Sequence, residues 1–461
     1  MSKKEQPIIV GLDIGTTKVV AIAGQKNEFG KLEILSVGKT ESQGVRHGVV
    51  MNIDQCIRSI QIAIEKCLAN NADLDIKEVY VGIAGQHIKS LQTRGDRMRP
   101  DTDSEITRKE IEGLINDQKK TFIPAGDEII DIVPQEFFVD DMQTTLSPVG
   151  MNGVKIGANF HIVTGDRNAI RNIKRCVERS SMKTKDLVLQ PLASAAAVMS
   201  PEDLEAGVAI VDIGGGTTDM AVFYDGLLKH TAVIPYAGVN ITNDIHYGLG
   251  VLRAQAEQLK VQFGTAHADH ANPNSYITIP GLKGLPPKEI SVKNLAHIIQ
   301  ARTHEILDYV LYHLKQIGLE KRLHGGIILT GGGASLKHIT QLTEYVTGMS
   351  ARIGLPNEHL AGGHSEEMGD PMYSTCIGLI LRGYHDFENG NYKASENNLL
   401  HINLEEQKPD MLTQPAKQEV VFTEEQEEMG RKRKRQIGKI FDGLKDKLMS
   451  MFEDEEDRKF D

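Results

Sequence analysis

A pattern of residues suited to binding a phosphate chain occupies positions 207–224. Asp212 stands near the end of a strand of small and β-branched residues, glycines fill positions 214–216, and Thr217 leads into a second apolar strand. Glycines allow positive φ and bring backbone N–H groups against an anion, while a threonine hydroxyl adds a donor. A carboxylate in this position can hold a hydrated Mg²⁺ that bridges phosphates. We call this segment the second hairpin and predict that it binds a polyphosphate.

The same pattern stands near the N-terminus in residues 8–22, which we call the first hairpin. Asp13 is followed by Gly15 and by the pair Thr16 and Thr17, between two apolar strands. One glycine-rich turn could equally be an ordinary tight hairpin, but two copies a domain length apart indicate an internal duplication. The second hairpin is not a Walker loop, because no Gly-Lys-Ser/Thr sequence opens a helix there. Two such hairpins facing each other would grip one polyphosphate from both sides.

A third glycine-rich segment, residues 326–335, has a different form. A short apolar strand runs into Gly331, Gly332 and Gly333, and Ala334 follows before a predicted helix. Because these positions lack bulky side chains, a flat adenine ring could lie on the backbone. We call this segment the glycine turn and predict that it completes a nucleotide cleft.

These three motifs, in this order, resemble those of the superfamily that contains actin, the Hsp70 chaperones and the sugar kinases. The resemblance implies an α/β fold of the actin-like ATPase type, with two duplicated α/β domains around a nucleotide cleft. It also implies ATP and Mg²⁺ as cofactors, with Asp13 and Asp212 coordinating the metal through water. The implied phosphate contacts are Gly15, Thr16, Thr17, Lys18, Gly214, Gly215, Gly216 and Thr217, and the implied adenosine contacts are Gly331, Gly332, Gly333 and Ala334.

Length and charge limit the other classes of function. At 461 residues the chain is too long for one hydrophobic core, which predicts two or more domains. A net charge of −11 at pH 7 argues against nucleic-acid binding. The four cysteines lack metal-ligand spacing and are predicted to be buried, reduced thiols. Residues 1–7 lead into the first strand without an apolar stretch long enough for a signal peptide or membrane span, so a cytoplasmic location is expected.

Residues 83–166 interrupt the first domain. Two strand-like stretches, 127–139 and 154–163, and a helix near residues 107–117 indicate a small α+β subdomain. Actin and Hsp70 have no such block here; its position and the sequence at 83–90 resemble the FtsA family of actin-like bacterial cell-division proteins. The predicted organisation is residues 1–82 and 167–204 for the first actin-like domain, 83–166 for the inserted subdomain, 205–242 and 324–388 for the second actin-like domain, and 243–323 for a smaller subdomain attached to the second.

The resemblance implies roles for further residues near the nucleotide. Gln190 occupies the superfamily position close to the attacking water. The resemblance implies Gln190 and Asp212 as the two catalytic residues. A glutamine can orient water but cannot act as a base at neutral pH, so slow hydrolysis at most is expected. Glu257 and Lys260 match residues that reach the ribose, and an i,i+3 surface pair is the alternative.

Two predictions concern residues away from the nucleotide. A helix predicted near residues 294–317 matches the FtsA helix that receives the C-terminal peptide of the tubulin-like protein FtsZ, which implies that Arg302 and Glu305 lie at that contact. A solvated helix face explains these two residues equally well. His47, in a glycine-flanked loop, is interpreted as a surface histidine.

The composition of the remaining sequence, from residue 389 onward, predicts a flexible linker that ends in a short helix. Residues 389–430 are rich in Asn, Glu, Gln and Lys, which predicts a disordered linker. Residues 431–452, which we call the terminal helix, are predicted to form a basic amphipathic helix that binds anionic membrane lipids or, alternatively, a partner groove. An acidic end, 453–461, follows. The apolar face of the terminal helix comprises Ile437, Ile440, Phe441, Leu444, Leu448, Met451 and Phe452.

The sequence therefore predicts an ATP-binding, actin-like cell-division protein. The resemblance implies that it assembles into actin-like filaments with itself, tethers FtsZ filaments to the inner face of the cytoplasmic membrane at the division site, and meets later division proteins through the inserted subdomain. Two alternatives remain: a small-molecule kinase of the same fold, and the pilus-assembly relative of FtsA. Neither alternative accounts for the terminal helix.

Overall fold

The computed structural model describes residues 6–71, 74–143, 147–281, 284, 286–362 and 365–388. The predicted linker, terminal helix and acidic end lie outside these residues. In the described part of the chain, no helix has the length and apolar character needed to cross a membrane.

The first domain is built on a five-stranded sheet in the order β11-β6-β1-β2-β3. The β1–β2 and β2–β3 pairs are antiparallel, whereas β1 is parallel to β6 and β6 to β11. A short two-stranded hairpin, β4–β5, and helices flank the sheet. The bounds are β1 Ile9–Ile14, β2 Lys18–Lys26, β3 Leu32–Glu41, β4 Val45–Arg46, β5 Val49–Val50, α1 Ile53–Asn70, β6 Glu78–Ile83, α3 Arg167–Arg179, β11 Lys183–Leu189, α4 Gln190–Val198 and α5 Pro201–Ala206.

The second domain repeats this topology in a sheet of order β14-β13-β12-β17-β18. Its central strand, β12, is antiparallel to β13 and parallel to β17. In the first sheet β1 has the same relation to β2 and β6. The duplication and the actin-like α/β fold expected from the two hairpins are therefore confirmed. The bounds are β12 Val208–Ile213, β13 Thr218–Tyr224, β14 Leu227–Ile234, α6 Gly238–Leu249, α7 Arg253–Phe263, β15 Tyr276–Ile279, β16 Lys288–Ser291, α8 Val292–Gln316, β17 Ile327–Thr330, α9 Ile339–Thr347, β18 Ala351–Ile353, α10 Ser365–Met368 and α11 Ser374–Glu388.

Helices α4 and α11 form the packing that joins the two sheets. Their buried residues share one apolar core with residues of β1, β2, β12 and β13. A Cβ atom at Gly378 would lie 1.8 Å from the carbonyl oxygen of Ala193, so a glycine is required where the helices cross. The run of small residues in α4 allows this close approach, which packs the two sheets against the same pair of helices.

The inserted subdomain has a four-stranded antiparallel sheet, in the order β7-β10-β8-β9, and its own apolar core. Strands β8 and β10 and helix α2 agree with the predicted elements, but β7 was not predicted. Its sequence is polar and half-exposed along most of its length, because β7 lies at the edge of the sheet. The bounds are β7 Lys89–Met98, α2 Arg108–Gln118, β8 Asp127–Val139, β9 Met142–Gln143 and β10 Lys155–Asp166.

Candidate nucleotide-binding site

The turns of the two hairpins meet face to face between the domains. A Cβ atom at Gly215 would lie 2.5 Å from Thr17 Cγ2, and one at Gly216 would lie 2.3 Å from Thr16 Oγ1. The prediction that these glycines adopt positive φ is wrong, because φ lies outside the left-handed region at Gly214, Gly215 and Gly216. Glycine is needed here because the opposite hairpin leaves no room for a side chain.

Two carbonyl oxygens in the turn of the second hairpin face α6. The Gly214 oxygen accepts a hydrogen bond from the N–H of Gly238 at 3.1 Å, and the Gly215 oxygen accepts one from the N–H of Val239 at 2.8 Å. Both donors belong to the first turn of α6. Within the described residues, the N–H groups of Gly215, Gly216 and Thr217 donate no hydrogen bond. Successive N–H groups without an acceptor are available to bind an anion.

Three carboxyl groups are buried where the hairpins leave their sheets. Asp13 and Asp212 are each 7% exposed, and Asp219 is 3% exposed. Burial raises the pKa of Asp13 from its ordinary 3.8 to about 6. Burial also raises the pKa of Asp212, and burial together with the nearby Asp212 charge raises the pKa of Asp219 well above its ordinary value. A cation bound nearby would offset the repulsion among these three carboxyl groups when they are ionised.

Polar side chains from distant parts of the chain orient these carboxyl groups. Ser194 Oγ donates to Asp212 Oδ2 at 2.6 Å, and Thr375 Oγ1 donates to the same oxygen at 3.2 Å. Thr217 Oγ1 donates to Asp219 Oδ2 at 2.9 Å. In the described residues, no group of three His, Cys, Asp or Glu side chains is arranged to hold a metal ion directly.

Gln190 lies beside the first of these carboxyl groups. It is the first residue of α4, and its Nε2 donates to Asp13 Oδ1 at 2.7 Å. The amide oxygen of Gln190 is thereby oriented away from the carboxylate. A free amide oxygen is able to accept a hydrogen bond from a water molecule.

The glycine turn lies against the second hairpin. A Cβ atom at Gly331 would lie 2.1 Å from Asp212 Oδ1, and φ at Gly331 is 79°. Gly331 and Gly332 line the same cavity as the two hairpins, whereas Gly333 and Ala334 are not among its lining residues. The cavity is about 60 Å³, which is smaller than the roughly 300–1,000 Å³ of a typical ligand pocket.

Three charged residues are predicted to contact the nucleotide, and only Lys18 lines the cavity. Lys18 lines the cavity, its ammonium group donates to the carbonyl oxygen of Met372, and burial lowers its pKa. Glu257 and Lys260 are not lining residues of this cavity. Lys260 Nζ lies 2.9 Å from Glu257 Oε2 and donates to the Gly238 oxygen at 3.0 Å, next to the second hairpin.

Arg302 and Glu305 lie outside the cleft, on α8. The guanidinium of Arg302 donates to Asp244 at 2.6 and 3.1 Å, and it also bonds to Glu305. The guanidinium carbon lies 5.6 Å from the centre of the Tyr236 ring. The pair is therefore part of a polar network that joins α6 to α8, with Arg302 about one-fifth exposed.

Three residues near the site were not singled out from the sequence. Ser194 and Thr375 lie in stretches of small residues and have no distinctive pattern. Asp219 could have been noticed as a carboxylate within an otherwise apolar strand. His47, interpreted as a surface histidine rather than a catalytic one, is partly exposed, and its Nδ1 lies 2.9 Å from the carbonyl oxygen of Gly216 in the other domain.

Comparison with known proteins gives family matches in both parts of the chain. Residues 209–378 match the family described as cell division protein FtsA, and residues 85–164 match the SHS2 domain inserted in FtsA. The FtsA of Pseudomonas aeruginosa is 37% identical over 383 residues, covering 83% of this chain and 91% of the relative. The FtsA of Escherichia coli is 33% identical over 393 residues, covering 84% of this chain and 92% of the relative.

Solved structures support the fold. A chain of the PilM–PilN type IV pilus biogenesis complex superposes with a TM-score of 0.61 at 14% identity, covering 81% of this chain and 98% of that chain. MreB5 of Spiroplasma citri bound to ADP gives a TM-score of 0.50 at 14% identity, covering 84% and 100%. At these identities the likeness establishes the actin-like fold alone. The sequence matches go further, and they establish that this chain belongs to the FtsA family of cell division proteins.

Proposed function

We propose that the protein binds Mg²⁺-ATP between its two domains and uses the nucleotide mainly to select a conformation. The observation that carries this proposal is the meeting of two hairpins with free N–H groups above three buried carboxyl groups. A triphosphate would replace the contact between Thr16, Thr17 and the glycines of the second hairpin with bonds to both domains. The nucleotide would then bond to both domains at once, which shifts the population toward the arrangement that makes both sets of contacts.

The residues present fit the charge and the donors of a magnesium–phosphate complex. The N–H groups of Gly215, Gly216 and Thr217 would hold phosphate oxygens, and Lys18 would add a positive charge. Asp13 and Asp212 would accept hydrogen bonds from the water shell of Mg²⁺, which when bound neutralises phosphate charge. Gln190 would orient the water nearest the phosphate chain but would leave it without a base, so any hydrolysis is expected to be slow.

A small-molecule kinase of this fold makes a different prediction about ATP. Such an enzyme would consume ATP rapidly once its acceptor metabolite is present. We expect the full chain to bind ATP and to turn it over slowly, at a rate that does not change when sugars, polyols or carboxylic acids are added. Turnover that rises sharply with one metabolite would favour the kinase.

We further propose that the protein tethers FtsZ filaments to the membrane. In this proposal the FtsZ C-terminal peptide binds on α8, a second copy of the chain continues an actin-like filament, and the inserted subdomain meets later division proteins. The terminal helix holds the assembly on anionic lipids at the inner face of the cytoplasmic membrane, at the division site. The family relationship and the sequence of the tail support this proposal.

A charge deletion on α8 tests the site for the FtsZ peptide. We expect Arg302→Ala to weaken binding of the FtsZ C-terminal peptide about tenfold, because a charge-assisted hydrogen bond to the peptide is lost. Stability should fall by no more than about 1 kcal/mol, since the ion pairs of Arg302 are partly exposed. Fluorescence anisotropy of a labelled peptide measures the affinity.

Arg352 provides the matched control for this experiment. Its guanidinium also bonds to a carboxylate, Asp203, at 2.6 Å, but it belongs to β18. Arg352→Ala should therefore bind the peptide as the unaltered protein does. Equal affinities for the two variants would place the peptide elsewhere.

A further inference from the structure

A two-residue turn from the first domain reaches the second hairpin. Strands β4 and β5 pair through Arg46 and Val49, which leaves His47 and Gly48 as the turn. Their φ angles are 47° and 73°, so both residues adopt the left-handed conformation that the favoured two-residue hairpin turns require. A left-handed conformation is uncommon for a histidine. The turn therefore has one defined shape rather than a range of shapes.

Surrounding backbone holds this turn in place. The carbonyl oxygen of Gly44 accepts hydrogen bonds from the N–H groups of Met51 at 2.8 Å and Asn52 at 3.0 Å, which closes the base of the short hairpin. At its tip, a Cβ atom at Gly48 would lie 2.6 Å from the carbonyl oxygen of Ala84. The turn is thus packed against the loop that follows β6 in the first domain.

The turn contacts both phosphate-binding hairpins. The N–H of Gly48 donates to Thr16 Oγ1 at 3.2 Å, in the first hairpin. His47 Nδ1 lies 2.9 Å from the carbonyl oxygen of Gly216, in the second hairpin. Because a carbonyl oxygen only accepts, Nδ1 must carry the proton of this hydrogen bond. One imidazole therefore connects the first domain to the turn of the second hairpin.

This hydrogen bond completes a set of three. The carbonyl oxygens of Gly214 and Gly215 are held by N–H groups of α6, and that of Gly216 is held by His47. In a trans peptide unit the C=O and N–H bonds point in opposite directions. Fixing the Gly216 oxygen toward His47 therefore turns the N–H of Thr217, one of the free donors of the second hairpin, away from His47.

We propose that His47 is a positioning residue for the phosphate chain of a nucleoside triphosphate. By holding the Gly216 carbonyl, it presents the Thr217 N–H to a phosphate oxygen, and it makes that donor depend on the position of the first domain. This inference rests on the proposed binding of Mg²⁺-ATP in the cleft. It assigns to His47 no contact with the nucleotide itself.

Two substitutions separate the hydrogen bond from the shape of the turn. Asparagine and glycine both tolerate left-handed backbone, so neither should strain the turn at position 47. Asparagine retains an N–H donor near the place of the imidazole Nδ1, whereas glycine has no donor. The pair His47→Asn and His47→Gly therefore differs in the hydrogen bond to Gly216 while the backbone requirement is met in both.

The experiment measures the dissociation constant of Mg²⁺-ATP for the full chain and both variants by isothermal titration calorimetry. We expect His47→Gly to bind about fivefold to tenfold more weakly, the effect of one lost hydrogen bond, and His47→Asn to stay within about threefold of the unaltered protein. Thermal unfolding without nucleotide verifies that both variants are folded.

The outcomes distinguish this inference from the proposed function. If the unaltered chain binds Mg²⁺-ATP and His47→Gly binds it equally well, His47 does not position the phosphate site and the inference is overturned. The same holds if both variants are weakened equally, because the retained donor then has no effect. If the unaltered chain itself fails to bind Mg²⁺-ATP, the proposed function is overturned.

Discussion

Replacing Asp13 with asparagine is expected to stabilise the nucleotide-free protein at pH 7 by about 1–3 kcal/mol. The pKa of Asp13 rises from 3.8 to about 6 on burial, so the folded protein holds the proton more tightly than the unfolded chain does. At pH 7 the carboxylate is ionised in both states, and each unit of this shift then opposes folding by about 1.4 kcal/mol. Asparagine is nearly isosteric and carries no charge, which removes this penalty.

The stability advantage of Asp13→Asn should depend on pH in a direction set by the raised pKa of Asp13. Between about pH 4 and pH 6 the folded state binds the extra proton, so the penalty on the unaltered protein shrinks as the pH falls and disappears near pH 4. The advantage of Asp13→Asn should shrink in the same window. Urea denaturation of the nucleotide-free proteins at pH 7 and pH 5 measures the difference. An equal advantage at both values would show that the charge of Asp13 is not its cause.

The same substitution should weaken Mg²⁺-ATP binding about 30- to 100-fold. A neutral amide attracts the water shell of Mg²⁺ less strongly than a carboxylate, and hydrogen bonds to charged groups contribute about 1.5–3 kcal/mol. Opposite changes in stability and affinity are typical of a residue kept for function. An Asp13→Asn variant that loses stability while it binds ATP normally would indicate a structural role for the carboxylate.

Removing the terminal helix is expected to abolish binding to anionic membranes. A helix over residues 431–452, as the sequence predicts, would place seven large apolar residues on one face, each contributing ~1.5–3 kcal/mol if fully buried. Its eight lysines and arginines would add about 1 kcal/mol each near an anionic surface. A chain that stops before Arg431 should partition into anionic liposomes at least about a hundredfold more weakly. Co-sedimentation at constant ATP and salt measures the partition.

Single substitutions in the same helix separate insertion from simple charge attraction. Leu444→Glu places a charge on the apolar face and should reduce sedimentation strongly, whereas Asp442→Glu on the opposite face should not. Sedimentation of the full chain should also fall as salt rises. If the full chain and the shortened chain both stay in the supernatant at every lipid concentration, the helix serves a protein partner and the membrane proposal fails.

The hairpins and the duplication could be predicted from sequence because their signals are local. An apolar strand, Asp13 or Asp212, glycines and threonines recur with the same short spacing in both copies. Such signals consist of residues close together in the sequence, so they can be recognised without a structure. The polar strand β7 was missed because an edge strand does not need the apolar pattern by which strands are recognised.

The contacts that complete the site could not be predicted in the same way. Ser194 and Thr375 reach Asp212 from α4 and α11, and His47 reaches Gly216 across the boundary between the domains. None of these pairs has a sequence signature, since each depends on how separate elements pack. The glycines of the second hairpin show the same limit: their presence was expected for backbone freedom, but the opposite hairpin is what excludes a side chain.

Titration of Mg²⁺-ATP into the full chain tests the central claim most directly, with Gly215→Val and Gly362→Val measured beside it. A side chain at Gly215 must lie in the gap between the hairpins, whereas a Cβ atom at Gly362 meets no atom within 4 Å among the described residues. We predict one Mg²⁺-ATP per chain, nearly complete loss of binding in Gly215→Val, and unchanged binding in Gly362→Val. Binding that survives Gly215→Val at full affinity would contradict the account, because the nucleotide would then lie somewhere other than between the hairpins.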